Sequence, residues 1–209
     1  MRTLVIETAT AACSVALIEH GAVLAEAHEV VGRGHAERLV PMIASLPDQG
    51  RAPHILVDVG PGSFTGVRVG LAAARGLAIG WGSQVAGYSS LANIAAASFA
   101  REQVAGMLAV LLEGGHGEVF MQLFGPPPMM TAEPLESLTP EAARIRLGGT
   151  HVVGDGLRFL RFDDPRNAPR GELPRAADAV HLPPHLAQLP PRPIYGRAPD
   201  ARTLAERGA

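Results

Sequence analysis

The 209-residue sequence contains no lysine and only one cysteine. Every one of its 18 Lys or Arg positions is an arginine. The absence of lysine excludes the P-loop phosphate lysine, Schiff-base chemistry and pyridoxal-phosphate attachment. The lone Cys13 excludes an internal disulfide framework and fits a reducing compartment. Because Cys13 stands in a predicted strand with no histidine nearby, we interpret it as a buried, inert thiol.

We expect neither a secretory leader nor a membrane-spanning run. The apolar residues 4–6 are followed at once by Glu7, so no signal-peptide core forms there. The longest uncharged run, residues 76–100, carries six polar side chains and four glycines. Such a run would expose too many polar groups to lipid, which predicts a helix, a strand and a helix of a cytoplasmic protein.

Composition and charge are those of an ordinary globular protein, with 47% apolar and 18% charged residues and a net charge of −2. Residues 1–136 carry 7 arginines against 12 acids, whereas residues 137–209 carry 11 against 8. This imbalance is too weak to predict a nucleic-acid surface that works on its own.

Apolar periodicity predicts an α/β fold with a mixed sheet flanked by helices, and a second unit that begins near residue 101. The predicted strands are 3–6, 14–18, 23–28, 54–58, 85–88, 107–112 and 118–124. Helices are predicted from residue 35, over 67–79 with Thr65 as N-cap, over 90–100, and after Thr139, with Pro140 at the first position. Pro41 falls inside the first helix and predicts an irregular first turn.

The most informative segment is the glycine-rich turn that joins the strand 54–58 to the next helix. Its residues are Gly60, Gly62, Ser63, Thr65 and Gly66. A strand that runs into such a turn and opens a helix offers backbone N–H groups to an anion. The segment matches neither the Rossmann nor the Walker pattern. An alternative stays open: a tight turn whose small residues let the helix pack closely.

A second candidate site follows the first strand, where Glu7 precedes Thr8 and Thr10. An acid followed by hydroxyls is suited to a hydrated Mg²⁺ ion and phosphate oxygens, as in actin-like ATPases and sugar kinases. The alternative is an acid that only ends a strand. Other motifs fail: His28-Glu29 has Gly32 at the position of the second zinc ligand, and prolines separate His181 from His185. We therefore predict no metal site and no catalytic residue.

Three segments resemble the bacterial TsaB family, which is related to the TsaD and glycoprotease-like proteins of actin/Hsp70-type fold. They are residues 7–17 (ETATAACSVAL), 35–41 (HAERLVP) and 60–70 (GPGSFTGVRVG). Residues 117–120 (GEVF) and 193–197 (PIYGR) are similar to two further family motifs. The resemblance implies an actin-like fold with two lobes, residues 1–100 and a shortened lobe 101–209, each with a mixed sheet flanked by helices.

The resemblance also implies a function. TsaB proteins are non-catalytic partners that activate TsaD, the subunit that threonylcarbamoylates the tRNA adenosine beside the anticodon. It implies a complex with TsaD and a TsaE-type ATPase, a homodimer when the chain is alone, tRNA contact only through the complex, and no membrane. No cofactor is required, and ATP or ADP binding is at most weak or confined to the complex, which makes the glycine-rich turn with Glu7 and Thr8 a vestigial nucleotide loop. TsaD holds a metal through two histidines, whereas the corresponding positions here are Ser90 and Ile94.

Partner contacts in this family use the first two helices. The residues that the resemblance assigns to them are His35, Arg38, Leu39, Met42, Ile43 and Leu46 in the first helix and Val69, Ala72, Ala73 and Gly76 in the second. Periodicity alone leaves open that both helices simply cover the sheet. An alternative function from another class is an ATP-hydrolysing or phosphoryl-transfer enzyme that uses Glu7, Thr8 and the glycine-rich turn.

The sequence also departs from the family pattern. Residues 46–54 form a shorter link than is usual, and Glu113-Gly114-Gly115 replaces an Asp-Ala-Arg segment, so the arginine is lost. The final helix before Pro193 is replaced by proline-rich sequence.

Overall fold

The structure is a computed structural model that describes residues 1–102, 104–160 and 172–196. Two sheets and four α-helices make up its regular structure. The first half contains β1 (Arg2–Glu7), β2 (Ala12–Glu19), β3 (Ala22–Val30), α1 (His35–Ser45), β4 (His54–Asp58), α2 (Phe64–Trp81), β5 (Gln84–Tyr88) and α3 (Ser90–Arg101). The second half contains β6 (Leu108–Gly115), β7 (Glu118–Phe124), β8 (Glu136–Leu138), α4 (Pro140–Leu147) and β9 (His151–Val153).

Both sheets are mixed, as the sequence predicts. The first has the order β3-β2-β1-β4-β5, with β1 antiparallel to β2 and parallel to β4. The second has the order β8-β7-β6-β9, in which only β6 and β9 run parallel. Strands β8 and β9 were not predicted, because three residues are too few to show a period of two.

The alternation of β1 explains how the layers are arranged. Leu4 and Ile6 point to one face of the sheet and pack with α1 and α2, whereas Val5 points to the other face. On that other face α3 lies between the two sheets, and its apolar side chains contact both of them. The core on this side contains Leu91, Ile94 and Ala95 of α3 together with Leu108 and Val110 of β6. One apolar core therefore spans both sheets. The lobe boundary near residue 100 stays a prediction.

The helix starts show the value of small polar side chains. The N-cap of α2 is Ser63 and not Thr65, because the Ser63 Oγ atom accepts a hydrogen bond from the Gly66 N–H. At α4 the predicted cap is confirmed, since Thr139 Oγ1 accepts from the Ala142 N–H. Helix α1 begins regularly and continues through Pro41, whose ring lies on the exposed side.

The proline-rich residues 172–196 return the chain to the first sheet. They contain two 3-10 turns, Ala176–His181 and Pro184–Leu186, where the expected final helix is missing. Leu189 then pairs with Gly87 at the edge of β5 through two hydrogen bonds of 2.7 and 2.9 Å. The short link between α1 and β4 contains a tight turn, Pro47–Gly50, in which Asp48 and Gln49 have left-handed backbone angles.

Within the described part of the chain, no helix combines the length and the hydrophobicity that a membrane crossing requires.

Candidate functional site

The turn between β1 and β2 packs directly against the start of α2. The Ser63 N–H donates to the Ala9 carbonyl at 2.6 Å, and the Thr8 hydroxyl donates to the Gly66 carbonyl at 2.8 Å. A Cβ atom on Gly62 would lie 2.1 Å from the Ala9 oxygen, and one on Gly66 would lie 2.1 Å from the Thr8 oxygen. Only glycine allows this approach, so the geometry matches the close-packing interpretation of the glycine-rich turn.

A cluster of polar side chains is buried beneath this contact. Glu7, Asp58, Tyr88 and Ser90 are all fully buried. The Glu7 carboxyl accepts hydrogen bonds from the Ala9 N–H and from the Tyr88 hydroxyl, both at 3.0 Å. Asp58 accepts from the Ser90 hydroxyl and from the Gly60 N–H, both at 2.6 Å.

The two buried carboxyl groups of this cluster influence each other's pKa. Burial and the nearby Asp58 charge raise the pKa of Glu7 well above its ordinary value. Burial also raises the pKa of Asp58, but the hydrogen bonds that it accepts from Glu7, Ser90 and Gly60 oppose that shift. The pKa shifts therefore favour the neutral form of Glu7. Burial likewise raises the pKa of Cys13, to about 11, so this thiol is inert at neutral pH.

An open cleft lies beside this cluster, between the β1–β2 turn, the start of α2 and the β6–β7 turn. It encloses about 870 Å³. Its lining comprises Ala9, Thr10, Ala11, Gly32, Arg33, Gly62, Ser63, Phe64, Arg68, Glu113, Gly114, Gly115, His116, Phe120, Asp155, Ile194, Tyr195 and Gly196. The cleft combines a concave surface with polar groups beside the glycine-rich turn, which makes it the candidate ligand site.

The predicted loop residues divide between the cleft and the interior. Gly62 and Ser63 line the cleft, whereas Glu7, Thr8, Gly60 and Gly66 do not. Glu7 and Thr8 are fully buried. Thr65 is exposed outside the cleft lining. The expectation that the Glu7 carboxylate faces a magnesium–phosphate group is therefore wrong for this structure, since its side chain turns into the core toward Tyr88 and Asp58.

Sequence reasoning missed several residues of the cleft, notably Arg33 and Asp155. Asp155 is 7% exposed, and burial raises its pKa. Its Oδ1 atom accepts a hydrogen bond from the Glu113 N–H at 3.1 Å. Tyr195 had a signal, the motif at 193–197, although Arg197 of that motif lies outside the described residues.

The positions that correspond to the TsaD histidines are tightly packed. Ser90 is fully buried and donates to Asp58, and Ile94 is 2% exposed in the core between the sheets. In the parts of the chain that the structure describes, no group of three His, Cys, Asp or Glu side chains is placed to hold a metal ion.

The predicted partner surface needs a correction in α1. His35, Leu39, Met42, Ile43 and Leu46 are 0–7% exposed. All but His35 belong to the core on the α1–α2 face of the sheet, and the His35 Nε2 atom bonds to the Ala12 carbonyl at 3.1 Å. The apolar stripe of α1 covers the sheet, so these five side chains are not on the exposed face of the helix.

The exposed faces of the two helices are made of different residues. On α1, Arg38 is exposed and forms an ion pair with Glu29, and Val40 is 57% exposed. On α2, Ala72 and Gly76 are exposed, and the assigned residues Val69 and Ala73 are half-buried beside them. The α2 part of the predicted surface is thus accessible, and its use by a partner stays a prediction.

Comparison with known proteins agrees with this architecture. The family model described as "TsaD: tRNA N6-adenosine threonylcarbamoyltransferase" matches residues 26–124. The tRNA threonylcarbamoyladenosine biosynthesis protein TsaB of Escherichia coli is 39% identical over 128 residues, which are 57% of this chain and 53% of that protein. The TsaB of Haemophilus influenzae is 38% identical over 113 residues, 52% of this chain and 48% of that protein.

A solved structure matches more of the chain. YeaZ from Pseudomonas aeruginosa superposes with a TM-score of 0.76 and 28% identity, and the match covers 93% of this chain and 99% of that one. The matches to the two curated TsaB proteins, by contrast, span about half of their length.

The two mixed sheets, with the first in the order β3-β2-β1-β4-β5, agree with the actin-like fold that the sequence resemblance implies. Within that fold the similarities to TsaB and YeaZ agree with the residue motifs at 7–17 and 60–70. The chain is similar in sequence to TsaB proteins and in fold to YeaZ.

The close approach of α2 to the β1–β2 turn gives a first testable prediction. Gly66→Ala should lower the free energy of unfolding by about 1–3 kcal/mol, because its methyl group meets the Thr8 carbonyl. Gly76→Ala, on the same helix with nothing within 4 Å of its added Cβ atom, should raise it by about 0.5–1 kcal/mol. Urea unfolding followed by circular dichroism compares the two, and equal effects would contradict the packing described.

The buried acid pair gives a second prediction, on pH dependence. Because the folded chain keeps the Glu7 proton to a higher pH than the unfolded chain does, this group makes the free energy of unfolding fall as pH rises above the ordinary glutamate pKa. Glu7→Gln cannot lose that proton, so the fall between about pH 5 and pH 8 should be smaller than in the wild type. Urea titrations across this range measure the difference. The exposed Glu37→Gln is the control and should keep the wild-type dependence of the unfolding free energy on pH. If Glu7→Gln also kept that dependence, the raised pKa of Glu7 would be wrong.

Proposed function

We propose that this chain is the non-catalytic partner subunit of a TsaD-type transferase in the threonylcarbamoylation of tRNA adenosine. The similarity to proteins named for tRNA threonylcarbamoyladenosine biosynthesis carries this proposal. In this proposal the chain works in the cytoplasm and reaches tRNA through the complex. A TsaE-type ATPase joins the complex, and the chain forms a homodimer when TsaD is absent.

The geometry of the acidic cluster supports a non-catalytic role. A carboxylate that binds a metal–phosphate group has to face the ligand, whereas the Glu7 carboxyl is fully buried and burial raises its pKa. The Ser63 N–H at the start of α2 is occupied by the Ala9 carbonyl. The packed Ser90 and Ile94 give no imidazole to a metal. We therefore propose that the chain needs no cofactor of its own and that any ATP or ADP contact is weak or belongs to the complex.

The exposed face of α2 supports the docking part of the proposal. Ala72 and Gly76 are exposed one turn apart, and a Cβ atom on Gly76 would meet nothing within 4 Å. Ile79 continues this face and is 87% exposed. Small residues let a second helix approach closely, and the exposed isoleucine supplies apolar area to bury. In this proposal docking on this face stabilises the active state of TsaD over its inactive state, and a coupling free energy of about 1–3 kcal/mol is sufficient.

The docking surface is tested by adding one charge to it. Ala72→Arg should weaken co-purification with TsaD from the same organism at least about tenfold, which corresponds to about 1.4 kcal/mol. Ile145→Arg adds the same charge at an exposed apolar position of α4, 70% exposed, and should bind TsaD like the wild type. Leu39→Glu is unsuitable, because Leu39 is fully buried and the variant would lose the fold. If Ala72→Arg bound TsaD as strongly as the wild type, the α2 face would be the wrong surface.

The enzymatic alternative is tested on the purified chain. We expect no Mg²⁺-dependent ATP hydrolysis or phosphoryl transfer by the chain alone, and a restored tRNA modification rate when it is added to TsaD, TsaE and threonylcarbamoyl-adenylate. Hydrolysis that depends on magnesium and disappears in Glu7→Gln would overturn the non-catalytic role. The same variant should still support tRNA modification, because the amide keeps the buried hydrogen bonds.

A further inference from the structure

Three side chains at the cleft form an ordered aromatic and cationic cluster that the proposed docking does not use. Phe64, the first residue of α2, is 66% exposed, and Tyr195 is 58% exposed. Arg68, one turn further along α2, lies between them. Its guanidinium carbon is 3.2 Å from the centroid of the Phe64 ring and 5.8 Å from that of Tyr195, and its Nη2 atom donates to the Tyr195 hydroxyl at 2.9 Å.

No carboxylate of the described residues forms an ion pair with Arg68. Many other arginines of the described residues form ion pairs with carboxylates: Arg2, Arg38, Arg101, Arg146, Arg158 and Arg175. Across residues 1–102, 104–160 and 172–196, Arg68 pairs with no acid. Arg33, which lines the same cleft, has no side-chain partner there either. Aromatic groups thus hold the guanidinium of Arg68 in place, and no carboxylate of the described residues neutralises its positive charge.

This combination suits one class of ligand. Exposed aromatic rings stack on unpaired nucleobases, and a planar guanidinium stacks or binds phosphate oxygens. A free magnesium nucleotide would need its phosphates held at the glycine-rich turn, where the Ser63 N–H is already bonded to Ala9 and Glu7 is buried. A single phosphate between two bases of a strand requires neither contact.

We propose that Phe64, Arg68 and Tyr195 form a platform for one unpaired nucleotide of an RNA strand. The base stacks on an exposed ring, and the adjoining phosphate faces Arg68 and Arg33. This inference rests on the proposed function and adds that the RNA touches this subunit. The chain has a net charge of −2, so stacking and not long-range attraction supplies the binding, and the chain alone binds RNA weakly.

Photo-crosslinking and fluorescence anisotropy test the platform on the full chain. The probe is a labelled single-stranded RNA of about ten nucleotides with 5-iodouridine, used at low salt because phosphate contacts weaken as salt rises. Crosslinks should map by mass spectrometry to Phe64 or Tyr195. Phe64→Ala should weaken RNA binding about tenfold, the loss expected when one stacked base is freed. Arg68→Ala should also make the plot of the logarithm of the RNA association constant against the logarithm of the salt concentration less steep. The slope should decrease in magnitude by about 0.7, the value for one phosphate contact on a single strand.

Controls separate the platform from general charge effects. Arg144→Ala removes the same charge from an exposed site on α4 and should leave RNA binding within about twofold of the wild type. The duplex form of the same RNA should bind more weakly, since its bases are not free to stack. Three results would each overturn the proposal. The first is equal affinity for duplex and single-stranded RNA, and the second is a loss of affinity in Arg144→Ala equal to that in Arg68→Ala. The third is displacement of the labelled RNA by AMP with magnesium at the same concentration as by unlabelled RNA.

Co-purification with TsaD, measured on the same variants, distinguishes this inference from the proposed function. If Phe64→Ala binds TsaD normally and wild type shows no Phe64-dependent RNA binding, the platform is wrong and the partner role stands. If RNA binds through the platform while wild type fails to bind TsaD, the partner role is wrong.

Discussion

The contact between the β1–β2 turn and the start of α2 organises this molecule. At Gly62, just before α2, and at Gly66, in its first turn, the backbone comes so close to the β1–β2 turn that no side chain fits between them. Hydrogen bonds from Ser63 to Ala9 and from Thr8 to Gly66 close the gap. This contact fixes the direction of α2, and with it the exposed helix face, the floor of the cleft and the place of Phe64 and Arg68 at its mouth.

The same contact explains how an actin-like fold is kept without the accessible acid of an ATPase. Glu7 and Asp58 end adjacent parallel strands, a position where such folds gather functional groups. Here both carboxyls are enclosed by Tyr88, Ser90 and the turn itself, and the raised pKa of Glu7 favours its neutral form, which reduces the cost of burying two acids. Polar residues that serve catalysis in one setting serve as an internal hydrogen-bond network in this one.

Much of the fold follows from the sequence, because long periodic segments leave a clear pattern. The strands around Val5 and Val57 and the helix through Ala74 are examples, and the motif at 60–70 led to the resemblance to TsaB proteins. The partner surface on α1 did not follow, since an apolar stripe such as Leu39 and Ile43 has the same spacing whether it covers a sheet or a partner.

Two kinds of feature were beyond periodicity. The sequence predicts Thr65 as the N-cap of α2, two residues after the N-cap Ser63 in the structure. Both residue types are good caps, and only the hydrogen bond from the Gly66 N–H distinguishes them. The cleft joins Arg33, Arg68, Asp155 and Tyr195, which are far apart in sequence, and Tyr195 reaches it through the return of the chain after residue 172.

That return has a consequence for how the polypeptide is made. The outer edge of β5 is closed by Leu189, and the Val59 carbonyl accepts its hydrogen bond from the Ile194 N–H at 2.7 Å. While synthesis has reached only the first hundred residues, β5 is a bare strand edge, the feature that invites pairing between unfinished molecules. The β5 edge of the N-terminal sheet is therefore covered by nearly the last described residues to leave the ribosome, so it stays unpaired until the proline-rich segment has been made.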